Sequence, residues 1–209
     1  MDHSGLPADT EDRASAGEEG RQFRFLRFSH IFASAVREIL EEEILREVSP
    51  APLSRSQFRV LKLMALDGPH QVGEVAELLA VSPPAATKNI DKLERLGLVV
   101  RTPFKGDRRA TLVSISPEAH RLVREYEKVK AARLAPLLAS FRPAEIEQAC
   151  HLLERLSISL LAEKRSGSEG CLRCAAYFER DCPIGRIRGG CLYQKIREAR
   201  PDLGDEKGR

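Results

Sequence analysis

Between Val81 and Gly97 the chain reads VSPPAATKNIDKLERLG, and this stretch constrains the fold more than any other. Ser82 is suited to cap a helix, because its hydroxyl accepts a hydrogen bond from an orphan backbone N–H of the first turn. Pro83 follows at the first helical position, where its missing N–H is harmless. Ala86, Ile90 and Leu93 recur at helical steps and form one apolar edge. The opposite edge carries Pro84, Ala85, Thr87, Lys88 and Lys92. Small side chains let a backbone approach base edges, threonine offers a hydroxyl and a methyl, and lysine neutralises phosphate. An ordinary amphipathic helix with a solvated face shows the same pattern, so the flanking sequence has to decide.

Upstream, residues 1–20 hold six acidic side chains and one arginine with almost no large apolar residue, which reads as a disordered acidic tail. The segment 21–53 reads as one long helix from about Gln22 to Val48. Phe25, Phe28, Phe32, Ala35 and Ile39 form one row, and Val36, Leu40, Ile44 and Val48 a second. Two rows are too broad for a helix resting on one neighbour, so it is expected to be sandwiched or shared with a second subunit. Ser49-Pro50-Ala51-Pro52 ends it. Ser54 opens the next helix, with Phe58, Leu61, Leu63 and Met64 inward and Gly68 as terminator. Gln71 to Ala80 is a third helix, with Val75, Leu78 and Leu79 inward. A tight corner at Val81 joins it to the helix described above, which gives a helix-turn-helix with the second helix as reader.

Downstream, Leu98 to Thr102 changes to strand periodicity, Phe104 to Arg109 is a polar turn, and Ala110 to Ser116 is a return strand with Leu112, Val113 and Ile115 as apolar members. A strand, a charged turn and a strand after a reading helix make a wing, so 54–116 reads as a winged helix-turn-helix domain. Two long helices follow in 117–165, one from Pro117 to about Ser140 and one from Pro143 with Ile146, Ala149, Leu153, Leu156 and Leu160 on one face. The fold class is mainly α with a small β wing.

The segments LSRSQFRVLKLMA, VGEVAELLAVSPPAATKNIDKLERLGLVVR and GDRRATLVSIS resemble the MarR family of winged-helix transcription regulators. An Asp-x-Arg wing is typical of that family, and Asp107-Arg108-Arg109 matches it. The likeness covers roughly residues 22–163. It implies a homodimer whose first and last helices interleave, with two winged lobes meeting consecutive major grooves of a pseudo-palindromic operator in double-stranded DNA. It also implies a small organic effector, bound between the dimer helices and the winged lobe. Where the family usually has a glycine near the start of the helix after the wing, this chain has Ser116-Pro117-Glu118-Ala119-His120, a departure confined to a helix start.

The charge distribution agrees. Residues 82–110 hold seven Lys/Arg against three Asp/Glu, inside a chain whose net charge is only +3. A basic block in a nearly neutral chain is the footprint of a nucleic-acid surface. Arg108 or Arg109 at a hairpin tip can enter a narrow A·T-rich minor groove, with Asp107 orienting the neighbouring arginine. The residues expected to meet DNA are Ser82, Pro84, Ala85, Thr87, Lys88, Lys92, Arg101, Lys105, Asp107, Arg108 and Arg109.

A second signal lies in 166–209. Cys171, Cys174, Cys182 and Cys191 are spaced C-x2-C-x7-C-x8-C beyond a Ser166-Gly167-Ser168 linker. Tyr177, Phe178, Ile184 and Ile187 are too few to form a core, and a metal centre would supply the missing folding energy. The close first pair with two single thiols and a Cys182-Pro183 step favours an iron–sulfur cluster. Structural zinc comes next, and a metal-free thiol switch is a third reading. Cys150 reads as a core residue within its helix, and His30, His120 and His151 as ordinary helix histidines.

No membrane-length apolar run, signal peptide, catalytic triad, paired carboxylates or phosphate loop is visible. The expectation is a cytoplasmic, non-enzymatic regulator that binds operator DNA, tuned through the four cysteines. Two alternatives stand beside it. One is a regulator released by a small organic ligand, with zinc in the four-Cys segment. The other, of a different class, is a protein-binding scaffold or electron-transfer module.

Overall fold

The computed structural model describes residues 9–104, 107–163 and Cys182. Two compact units divide the chain, Met1–Ile44 and Leu45–Arg209.

In the first unit, helix α1 (Asp9–Ala35) runs into a π-helical segment, Val36–Glu43. The helix therefore starts inside the stretch that composition reads as a tail. Ala14 and Ala16 add helix propensity. The wider turn over Val36–Glu43 interrupts the single helix expected from periodicity, because a 3.6-residue repeat does not register a switch of hydrogen-bond partner. The aromatic members of the first row are exposed in the single chain, Phe25 at 41%, Phe28 at 54% and Phe32 at 55%, as is Phe23 beside them.

A short helix, α2 (Ile44–Val48), marks the boundary, and α3 (Arg55–Asp67) begins the winged lobe. A capping box starts α3. The Gln57 N–H donates to Ser54 Oγ at 3.3 Å, and the Ser54 N–H donates to Gln57 Oε1 at 2.9 Å. Gly68, at φ +84°, closes it with a backbone geometry that favours glycine. Strand β1 (His70–Gln71) precedes α4 (Val72–Leu79), and α5 (Pro83–Arg95) follows. Strands β2 (Val99–Phe104) and β3 (Asp107–Ile115) lead to α6 (Pro117–Leu138) and α7 (Pro143–Ala162). The strands form one antiparallel sheet in the order β1-β3-β2. Strand β1 is not expected from the sequence, where only two strands are legible, because two residues carry no measurable alternation.

Phe58, Val60, Leu61, Leu63 and Met64 of α3, Val75 and Leu78 of α4, Ile90 and Leu93 of α5, and Val113 of β3 are buried together with Leu122, Val123 and Tyr126 of α6. The Phe58 and Tyr126 rings lie 4.4 Å apart, centroid to centroid, at 55°, a tilted geometry that aromatic pairs favour. Beside them Glu127 sits between two buried lysines: Lys62 Nζ lies 2.8 Å from Glu127 Oε1, and Lys130 pairs with the other oxygen. Burial pushes the Glu127 carboxyl up, but hydrogen bonds from Lys130 and Lys62 outweigh it and hold it below the usual carboxylate value. Along α7 the apolar residues Leu152, Leu153 and Leu160 are exposed. So is Cys150, expected in a core but bare of packing in the single chain. Among the described residues no helix is long and apolar enough to cross a membrane.

Candidate nucleic-acid interface

Helix α4 ends at Ala80, whose φ of 52° and ψ of 46° place it in the left-handed region. The Val81 N–H reaches the Ala76 carbonyl at 3.0 Å and the Ala80 N–H reaches that of Glu77 at 3.1 Å, the paired bonds that terminate a helix and reverse the chain. This is the corner between α4 and α5. Ser82 then caps α5, its Oγ accepting from the Ala85 N–H at 3.4 Å, with Pro83 at the first helical position. At the far end the Gly97 N–H reaches the Glu94 carbonyl and the Leu98 N–H that of Leu93, both at 2.9 Å. Gly97 adopts φ +68°, and Leu98 is buried beyond it. Helix α5 is thus held at both ends and anchored along one edge by Ala86, Ile90 and Leu93, each fully buried.

The other edge faces solvent. Ser82, Pro84, Thr87 and Lys88 are exposed, and Ala85 is half-buried. The Thr87 hydroxyl donates to the Pro83 carbonyl at 3.0 Å, which leaves its methyl and its oxygen lone pairs as what it presents outward. Lys92 is turned to the protein: its Nζ donates to the Pro52 carbonyl at 3.2 Å. Arg101 is engaged more fully. Its Nη1 donates to Glu94 Oε2 and its Nη2 to Asp91 Oδ1, each at 2.5 Å. Sequence reasoning counted Arg101 as a cation for DNA and overlooked Asp91 and Glu94. Their three-residue spacing on one helix face was the available signal. No sequence signal could have paired Lys92 with a carbonyl 40 positions away.

Beyond α5 the hairpin pairs from Val99↔Ile115 to Phe104↔Asp107, with an irregularity at Pro103/Phe104. Strand β1 supports only Leu112 and Val113 of β3, so the outer part is a two-stranded arm. From Leu112 to Asp107 it spans about 17 Å at roughly 3.3 Å per residue. Asp107, Arg108 and Arg109, expected in a turn, lie within β3. Lys105 falls outside the described residues, as do Cys171, Cys174 and Cys191; Cys182 is described and is half-buried. A capped helix with one open edge, beside a projecting β arm, has the form that reads a major groove and reaches an adjacent minor groove.

A family profile described as MarR family matches residues 51–110, which span α3 to the wing. The Bacillus subtilis transcriptional regulator YdgG is 31% identical over 103 residues, covering 48% of this chain and 67% of YdgG. The chain belongs to the MarR family. A second Bacillus subtilis relative of this MarR-family chain, the transcriptional regulator YkoM, is 27% identical over 146 residues, covering 70% of this chain and 94% of YkoM. Among solved structures, the YusO protein of Bacillus subtilis aligns with a TM-score of 0.54 at 26% identity, over 67% of this chain and 96% of YusO. The family assignment makes the chain a DNA-binding transcriptional regulator with the winged helix fold. The segment that carries the four cysteines lies beyond the profile match.

Proposed function

We propose that the chain acts as a homodimeric repressor that lays α5 of each protomer in the major groove of a pseudo-palindromic operator and sends its wing into the neighbouring minor groove. The observation that carries this reading is the two-sidedness of α5. Ala86, Ile90 and Leu93 are buried on one edge, while Ser82, Pro84, Thr87 and Lys88 are exposed on the other. Lys88 supplies phosphate contact, Pro84, Ala85 and the Thr87 methyl suit thymine methyls, and Arg108 or Arg109 supplies the minor-groove cation. Exposed Phe23, Phe28 and Phe32 of α1 and Leu152, Leu153 and Leu160 of α7 are apolar surfaces that a second copy would cover. Repression follows where the operator overlaps a promoter.

The test is selection of duplexes from a random pool, followed by affinity measurement across salt and by sedimentation. Enrichment of a pseudo-palindrome with half-sites about one helical turn apart, bound by two chains, supports the reading. A chain that retains no duplex selectively, or shows no salt dependence, refutes it and favours a protein-binding scaffold.

For the signal, we propose that Cys171, Cys174, Cys182 and Cys191 hold an iron–sulfur cluster whose loss or oxidation changes operator affinity. Support comes from the spacing and from the cations Arg173, Arg180, Arg186 and Arg188 around it, which offset cluster charge. Visible absorption with iron and zinc analysis on protein purified without oxygen tests it. Iron that disappears in Cys→Ser variants supports the cluster. Colourless protein with one zinc per chain replaces it with a structural site and moves the search to an organic effector. Colourless, metal-free protein leaves a thiol switch.

A further inference from the structure

We propose that Arg101 is a positioning residue that fixes the wing to the reading helix, and that Asp91 and Glu94 withhold it from DNA phosphate. The proposal rests on the DNA-binding reading above and names how its two contact elements are kept in register.

The geometry has three parts. Arg101 lies on β2 opposite Val113, which is fully buried and is also paired with His70 of β1. It therefore stands at the root of the hairpin, where three strands give way to the two-stranded arm. Its guanidinium then spans to a different element, bonding Asp91 and Glu94 of α5 through two separate nitrogens. Finally, the two carboxylates sit three residues apart on one face of α5, where alone they would repel each other and any phosphate nearby. The planar fork satisfies both at once, and a lysine ammonium on a flexible stem does not reproduce that geometry.

Two consequences follow. An arm about 17 Å long magnifies small rotations at its root: a rotation of roughly 10° moves the tip by about 3 Å. That displacement is enough to break a hydrogen bond at the minor groove. Holding the root against α5 thus decides whether major-groove and minor-groove contacts form together. In addition, the trio of one cation and two carboxylates carries a net negative charge, so Arg101 contributes nothing to phosphate neutralisation while the fork stands.

The test compares Arg101→Ala, Arg101→Lys and the double variant Asp91→Asn with Glu94→Gln. Two probes are used across a salt series: a duplex enriched by the full chain from a random pool, and a mixed-sequence duplex. Thermal unfolding of each variant checks that it folds. The expected result is that Arg101→Ala and Arg101→Lys both lose about fivefold or more in affinity for the enriched duplex. The slope of log affinity against log salt does not fall in either. The carboxylate double variant, with Arg101 released, gains affinity for the mixed-sequence duplex and steepens its slope by about 0.9 per lobe. A slope that falls by about 0.9 in Arg101→Ala and is restored in Arg101→Lys overturns the proposal, because it makes Arg101 a direct phosphate ligand. A double variant indistinguishable from the parent also overturns it. A parent chain that binds neither duplex overturns the DNA-binding reading itself, and the clamp with it.

Discussion

Lys88→Ala isolates the electrostatic part of the interface. Lys88 is exposed on the open edge of α5, whereas Lys92 is tied to the Pro52 carbonyl and Arg101 to Asp91 and Glu94. Neutralising one phosphate changes log affinity by about 0.9 per decade of salt. Taking the contribution as vanishing near 1 M salt, one contact is worth about eightfold at roughly 0.1 M and about twofold at roughly 0.5 M. With both lobes of a dimer engaged the factors multiply, to about sixtyfold at the lower salt, and the slope falls by about 1.8. Fluorescence anisotropy of a labelled duplex at several salt concentrations measures both. Because Lys88 is exposed and alanine is a good helix former, the unfolding midpoint should stay put. Lys92→Ala should show a smaller change in slope, since its ammonium already has an internal acceptor. An unchanged slope in Lys88→Ala would mean that the open edge of α5 does not meet phosphate, and the docking geometry would have to be abandoned.

Other perturbations probe the scaffold and the wing. Leu93→Ala removes one of the two large fully buried anchors of α5 and should cost about 3 kcal/mol in urea unfolding; a loss under about 1 kcal/mol would show that α5 is held elsewhere. Arg109→Ala should cost about 1–3 kcal/mol of operator affinity, and an unaltered gel shift would remove the wing from the interface. Ala80→Gly and Gly97→Ala test the same left-handed geometry in opposite directions. The first should stabilise by roughly 0.5 kcal/mol and the second destabilise by about 1–2 kcal/mol, since no atom lies within 4 Å of a Cβ at Gly97 and the effect is one of backbone conformation. Glu127→Gln should be less stable than the parent at neutral pH. Its carboxyl is held below the ordinary value of 4.5, so its stabilisation is full above that value and fades as pH falls through the lowered one. The gap between parent and variant in chemical denaturation should therefore close in acid, and a gap that widened there would contradict the assignment.

The winged lobe was legible because its signals are local. Ser54 and Ser82 act as caps through hydroxyls that reach backbone groups three residues away. The apolar periods of Phe58 to Met64 and of Ala86, Ile90 and Leu93 match the faces that are buried. The hairpin is legible from its change of period, although β3 begins at Asp107 rather than Ala110, because a run of charged residues without alternation does not announce a strand. The helix from Asp9 was missed for a related reason: low hydrophobicity argues against a core but does not prevent a helix. Cys150 reads as a core residue, and Leu153 and Leu160 as part of one apolar face, yet all three stand exposed in one chain. An apolar stripe announces that something covers it, not whether the cover comes from the same chain.

Local sequence alone sets where α5 is capped, which of its edges is apolar, and that a β arm follows, since caps, turns and hydrophobic periods act over a few residues. It also set the four-cysteine spacing of 171–191. Long-range packing sets which of the cations near α5 already have partners within the chain. Lys92 went to a carbonyl of a distant loop, and Arg101 to two carboxylates across an element boundary, leaving Lys88 open on the helix. A charge is counted in the sequence, but its partner is set by where the folded chain brings the acceptors.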